Sequence, residues 1–231
     1  MSTAPGTAAS AGPGRDGQTG TSRPMSRRSA STAAVRSGVS GERTAGRTGT
    51  DSPAAAPGAV LKGYYSGGTL ADEAMLLAAP VLGDVRSNTP LRPELDLALD
   101  PAATDLSARG HVVVDFGDDA LTVGRAHPMI DPTLRLEAIG RLAASGEPAV
   151  LLLDVVLGYG ADADPAAALV PALAAARART TLPVVIALIG TEADPQGWSR
   201  QADALAEAGA AVFASNAAAT RYALDLLGAA R

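Results

Sequence analysis

Three times the chain repeats one pattern: an apolar run, a glycine-bearing loop, then Asp-Pro and a helical stretch. The copies are VVVDFGDDALTVGRAHPMIDP (112–132), AVLLLDVVLGYGADADP (149–165) and PVVIALIGTEADP (183–195). The runs are too apolar for half-exposed strands, so they belong in a parallel sheet covered on both faces. Asp is a favoured N-cap and Pro suits the first helical position, so Asp131-Pro132, Asp164-Pro165 and Asp194-Pro195 are expected to start helices. In such a sheet every strand-to-helix loop leaves one edge, and ligands bind there, beyond the carboxyl ends of the strands. Function is to be sought in those loops.

Five segments read as buried strands: VLKGYY (60–65), HVVVDF (111–116), VLLLDVV (150–156), VVIALI (184–189) and AAVFA (210–214). Helical spacing follows them, in Leu70, Ala74 and Leu77, in Leu136, Ile139 and Leu142, and in Trp198, Ala202 and Leu205. Alternating strands and helices imply right-handed crossovers and an α/β fold, a flavodoxin-like, doubly wound parallel sheet of about five strands. A domain of roughly 170 residues buries about 70% of its extended-chain surface, enough for an independent core. Residues 80–108, with Pro90, Pro93 and a fourth Asp-Pro at 100–101, break the rhythm and read as a rim insertion, with a short edge strand at VLGDVR. Pro171, inside the helix that starts at Pro165, should bend that helix or delay its regular part.

Residues 1–58 differ in kind. They are built from Ala, Gly, Ser, Thr, Pro and Arg, and their large apolar residues are only Met1, Met25, Val35 and Val39. So few cannot offset the entropy of ordering the segment, and a disordered tail is expected, with the folded domain at 59–231. The tail's Arg- and Ser-rich composition superficially resembles a transit peptide. A solvated tail, or the residue of a longer protein, is the alternative reading. It has no apolar h-region of a secretory signal, and a cytoplasmic location is expected.

The formal net charge of −5 argues against a general nucleic-acid binder, which needs a positive surface. Lys62 is the only lysine, and cysteine is absent, which removes disulfides, zinc–thiolate sites and thiol nucleophiles. With His111 and His127 the only imidazoles, no metal site is expected. No apolar run is long enough for a membrane span.

The loop YYSGGTL (64–70) combines Ser66, Gly67, Gly68 and Thr69. It reads either as a cradle for a phosphate or carboxylate, or as a tight strand-to-helix turn. The long loop FGDDALTVGRAHPMID (116–131) offers Arg125 as an anion clamp and His127 as acid, base or phosphoryl acceptor. The alternative makes His127 a hydrogen-bonded fixture before Pro128 and Asp131 a cap. His111 opens a strand and reads as structural. In LGYGADADP (157–165), Gly158, Tyr159 and Gly160 precede a helix whose positive end would favour an anion, against which Asp162 counts. IGTEADPQG (189–197) adds Thr191, Glu192 and Gln196, and ASNAAAT (214–220) adds Ser215 and Asn216 at a helix start.

Together YYSGGTL, VRSNTPL (85–91), DFGDDALTVGRAHPMIDPTLR (115–135), LLLDVVLGYGADADP (151–165), GTEADPQG (190–197) and SNAAA (215–219) resemble the FdrA family, relatives of succinyl-CoA synthetase and other NDP-forming acyl-CoA synthetases. The resemblance covers residues 60–231 and corresponds to the flavodoxin-like, C-terminal CoA-ligase domain alone. It implies an acyl-CoA synthetase-like component, or one of an oxamate carbamoyltransferase complex in allantoin catabolism. Both chemistries pass through an acyl or carbamoyl phosphate. It further implies that Gly158-Tyr159-Gly160 and the helix behind them help to hold a phosphate. The family's phosphohistidine lies in a Gly-His-Ala context on another loop, from which GRAHPM departs. Neither a CoA-binding front domain nor an ATP-grasp pattern occurs in this sequence, so CoA and nucleotide are expected from partner subunits and no cofactor from this chain alone. The expected ligand is a small anionic metabolite. The alternative function is a non-catalytic scaffold or regulatory remnant. A phospho-receiver shares the architecture but needs an acidic pair after its first strand and a lysine after its last, and YYSGG and ASNAA have neither.

Overall fold

The computed structural model describes residues 53–98 and 108–228, together with the backbone of Arg47–Thr48. The strands are β1 (Arg47–Thr48), β2 (Val60–Tyr65), β3 (Arg86–Ser87), β4 (Val112–Asp115), β5 (Ala149–Val156), β6 (Val184–Ile189) and β7 (Ala211–Phe213). They form one sheet in the order β1-β7-β6-β5-β2-β4-β3. β2 to β7 are mutually parallel, and β1 pairs antiparallel with β7. Leaving aside the two-residue edge strands, the order is that of the flavodoxin-like doubly wound sheet, whose switch point lies beside β2.

The helices are α1 (Gly68–Leu82), α2 (Asp119–Thr122), α3 (Thr133–Ser145), α4 (Pro165–Arg177), α5 (Trp198–Glu207) and α6 (Asn216–Leu226). Because side chains alternate across a strand, the apolar runs feed two cores. Tyr64, Val112, Val114, Leu151, Leu153 and Ile186 pack with residues of α3, α4 and α5. Leu61, Tyr65, Val113, Val150, Leu152 and Val185 pack with residues of α1 and α6. Both faces are covered, and this is why the strands carry no polar stripe.

Several expectations change in detail. The edge strand is Arg86–Ser87, because the Val81-Leu82 part of VLGDVR still belongs to α1. In α1 the buried positions are Ala71, Ala74, Met75 and Ala78, so the stripe is turned by about one residue from Leu70 and Leu77. Helix α4 starts at Pro165 as expected and is continuous through Pro171. Asp194-Pro195 does not start a helix: α5 begins at Trp198 after Gly197, and the Asp194 carboxylate instead accepts from the Thr191 amide and hydroxyl, closing a turn. Of the expected tail, all but 47–48 and 53–58 lies outside the described residues, as do Asp100-Pro101 and most of the rim insertion's second half. No helix among the described residues is long and apolar enough to cross a membrane.

Candidate functional site

Parallel pairing brings the loops after β2, β4, β5, β6 and β7 to one edge. The loops after β2 and β4 approach each other closely. A Cβ on Gly117 would stand 2.8 Å from the Ser66 carbonyl oxygen and 2.8 Å from His127 Nε2. A Cβ on Gly68 would stand 2.9 Å from Asp115 Oδ2. Only glycine fits these crossings, so the two loops and His127 form one assembly beside the switch point.

Two strand acids, Asp154 within β5 and Asp115 at the end of β4, organise that assembly. Asp154 of β5 is fully buried; its Oδ1 accepts from the Ser66 amide at 2.8 Å and from Arg135 Nη1 at 2.7 Å. Arg135 of α3 is itself 4% exposed and also donates to the Asp154 carbonyl at 2.9 Å. Its Nε is buried without a partner. Burial pushes the Asp154 carboxyl up, and the Arg135 guanidinium and the Ser66 donors pull it back. Asp115 of β4 accepts from the Gly117 amide at 2.8 Å, and Asn88 pairs both ways with its backbone. Burial raises the Asp115 carboxyl too, opposed by the Gly117 amide and by His127.

His127 is exposed, and its Nδ1 accepts from the Met129 amide at 3.3 Å. A neutral imidazole with Nδ1 accepting carries its proton on Nε2, the atom turned towards Gly117. Arg125 is exposed, and its guanidinium has no hydrogen bond or ion pair among the described residues; its charge helps hold Asp131 low, after the stronger effect of Thr133. Asp131 accepts from the Thr133 amide at 3.0 Å, so it does serve the start of α3. Gly67 is the N-cap of α1, no side chain caps that helix, and its first amides, on Gly68 and Thr69, face the loop assembly.

The loop after β5 behaves differently. Gln196, 2% exposed, takes the Gly158 amide at 3.1 Å and donates to the Gly158 and Asp162 carbonyls, both at 2.9 Å. The Asp162 amide is held by the Met129 carbonyl at 2.8 Å. At the start of α4 the Ala166 amide donates to Gln201 Oε1 at 2.8 Å. Asp164 occupies the N-cap position without a side-chain cap; its carboxylate goes to Arg200 and Gln201, each at 2.8 Å, and these hold it below the usual range. Tyr159 is 90% exposed, with Gly160 beside it.

The remaining candidates lie further along the edge. Thr191 closes the Asp194 turn, and Glu192 accepts from the Ser199 amide at 2.9 Å. Ser215 caps α6 through Ala218. Asn216 is 3% exposed, and it accepts from the Tyr65 hydroxyl while donating to the Leu70 carbonyl and to Glu73. Its side-chain polar atoms tie α6 to β2 and α1. His111 accepts at Nδ1 from the Leu61 amide. A cleft lined by Ser66, Met129, Arg135 and Asp162 measures about 20 Å³, room for about one water. That cleft is too small for a metabolite. Among the described residues no cluster of three or more His, Asp or Glu could hold a metal ion.

Asp115, Asp154, Arg135 and Gln201 were missed as site-building residues. Asp154 left a visible signal, a charge inside LLLDVV. Gln201 left none, because its partners are 35 to 37 residues away in sequence.

A parallel sheet covered on both faces, with a polar, glycine-lined assembly beside its switch point, defines a doubly wound α/β domain of flavodoxin-like type. The chain belongs to the CoA-ligase family, whose model matches residues 64–226. It is 34% identical over 162 residues to the uncharacterized protein YahF of Escherichia coli (strain K12), a match that covers 68% of this chain and 30% of YahF. The chain thus spans about a third of the length of that relative.

Proposed function

We propose that this chain is the CoA-ligase-type part of an FdrA-like acyl-CoA synthetase or carbamoyltransferase system, and that it binds the phosphate of a small acyl or carbamoyl phosphate. The observation that carries the reading is the uncapped first turn of α1, which packs beside the β4 loop that carries Gly117 and His127. Its amides and the helix dipole favour an anion, Arg125 is free to clamp one, and His127 presents Nε2–H to the same space. CoA and any nucleotide come from partner subunits. The phosphate site lies on the loops after β2 and β4, centred on Ser66–Thr69, Arg125 and His127. Gly158–Gly160 take a secondary role, since Gln196 and Gln201 already engage the donors of that turn.

The same internal capping of α4 favours a second reading, in which the domain retains the fold as a scaffold without turnover. Hydrogen exchange separates binding from its absence. Carbamoyl phosphate at millimolar concentration should slow exchange at Gly67–Thr69 and across 117–127. Arg125→Ala should weaken that protection severalfold and leave the melting temperature within about 1 °C, as expected for an unpaired surface side chain. Unchanged exchange in the wild type would remove the anion site. A large loss of stability in the variant would make Arg125 structural.

A further inference from the structure

The only lysine of the chain, Lys62, stands on β2 near the edge where the strands begin, away from the loop assembly, and is 2% exposed. It donates to the Ala108 carbonyl at 2.6 Å and pairs with Glu147 at 2.9 Å. Burial lowers its pKa, and Glu147 pulls it back up. Beside it opens a pocket of about 380 Å³, within the range of small-molecule sites. Lys62 and Tyr64 form its floor, Arg141 and Leu142 of α3 one wall, and Arg109 and Glu147 the lip.

The charges in this pocket do not balance. Both Glu147 oxygens are engaged, one by Lys62 and one by the Gly110 amide at 3.3 Å. Arg109 is exposed and makes no ion pair among the described residues. Arg141 has one loose partner, Glu137 at 3.5 Å through Nη1. Its Nε and Nη2 are shielded from solvent and unpaired. Those two atoms form one complete edge of the guanidinium, the two-donor fork that matches a carboxylate or phosphate. A guanidinium edge deprived of both water and protein partners is costly, and such groups call for a missing partner. The side chain is one-third exposed and lines the pocket. The carbonyl end of α3 opposes an anion weakly, but three cations against one acid outweigh it.

We propose that this pocket binds a small organic anion, a carboxylate or phosphate on a compact apolar body, with Arg141 and Arg109 gripping the oxyanion and Tyr64 and Leu142 facing the body. The inference does not rest on the reading of the loop edge.

Phenyl phosphate and benzoate share a ring and differ in headgroup, so calorimetric titration of each into the full chain tests it. At least one should bind the wild type with a dissociation constant in the millimolar range or tighter. Arg141→Gln should weaken binding about tenfold, the loss of one bidentate contact, and Arg109→Gln by less. Arg141→Lys should recover part of the loss, because the charge returns without the fork. Arg221→Gln, an exposed arginine of α6 on the other face of the sheet, should leave binding unchanged. Arg141 has only the Glu137 contact to lose, so the variants keep the fold, checked by circular dichroism. Binding of phenyl phosphate alone assigns a phosphate headgroup, of benzoate alone a carboxylate. No heat from either ligand at about 10 mM would overturn the proposal, a concentration beyond which binding is weaker than about 3 kcal/mol. So would binding that survives Arg141→Gln with Arg109→Gln, or that disappears in Arg221→Gln.

Discussion

Asp154 sits in the middle of β5, fully buried, and the surrounding residues exist to make that tolerable. An unpaired carboxylate in this core would be neutralised or would unfold the strand. Arg135 and both Ser66 donors supply the partners. Ser66 was legible as a loop hydroxyl, but its role was not: it is 1% exposed and anchors the turn that presents Gly67 and Gly68. Arg135 was invisible in the sequence, because an arginine on a predicted helix reads as solvated. Arg135→Met leaves the Asp154 charge alone and should cost about 3–5 kcal/mol in a denaturant melt at pH 7. Adding Asp154→Asn should recover much of that. A single-variant loss under about 1 kcal/mol would show that the pair is not the anchor of the turn.

At the scale of elements, apolar runs and Asp-Pro steps placed the strands within a residue or two and two helix starts out of three. Asp131 and Asp164 precede α3 and α4, whereas Asp194 closes a turn with Thr191. Local chemistry is the same in all three, since Asp favours both N-caps and turns. What separates them is which backbone amides other residues supply or occupy. For α4 that supply is Gln201, reaching from α5 to the Ala166 amide and to Asp164. Gln201→Ala should destabilise the domain by about 1–2 kcal/mol, the size of a lost cap plus a buried hydrogen bond. It should also speed hydrogen exchange selectively in the first turn of α4. An effect spread evenly over the molecule would mean that Gln201 acts through general packing.

At the scale of the whole molecule, the crossover from β4 through α3 to β5 carries the chain past β2, so the switch point falls between β2 and β5 and the β4 loop crosses on the other side of β2. It also brings the Asp115 carboxyl to the uncapped end of α1, where its charge opposes an anion. Burial raises this group, with smaller opposing effects from Gly117 and His127. A carboxyl raised in the fold binds its proton more tightly there than in the unfolded chain. Its stabilising contribution is therefore complete below the ordinary carboxylate range, about pH 4, and is lost as pH rises through the folded value. Asp115→Asn keeps an acceptor for the Gly117 amide, so at pH 7 it should be at least as stable as the wild type. The difference should shrink as pH falls towards about 4. Sulfate keeps its charge over this range, and its binding at the loop edge should tighten on acidification in the wild type. In a His127→Gln background, so that only the acid titrates, Asp115→Asn should flatten that dependence. A dependence that persists in the double variant would assign it to another group.

The sequence by itself determined the layers: runs of buried strand, helices between them, a common edge for the loops, and glycine where backbones must pass closely. These follow from periodicity and local propensity, which act over a few residues and are written in order along the chain. Only the tertiary structure decided which loops meet, that Gln196 and Gln201 take up the donors of the β5 loop, that Asn216 is bound into the packing, and that the lone lysine floors a separate pocket. Those outcomes come from strand order and from hydrogen bonds between residues tens of positions apart, where each partner is one polar side chain among many until the sheet brings them together.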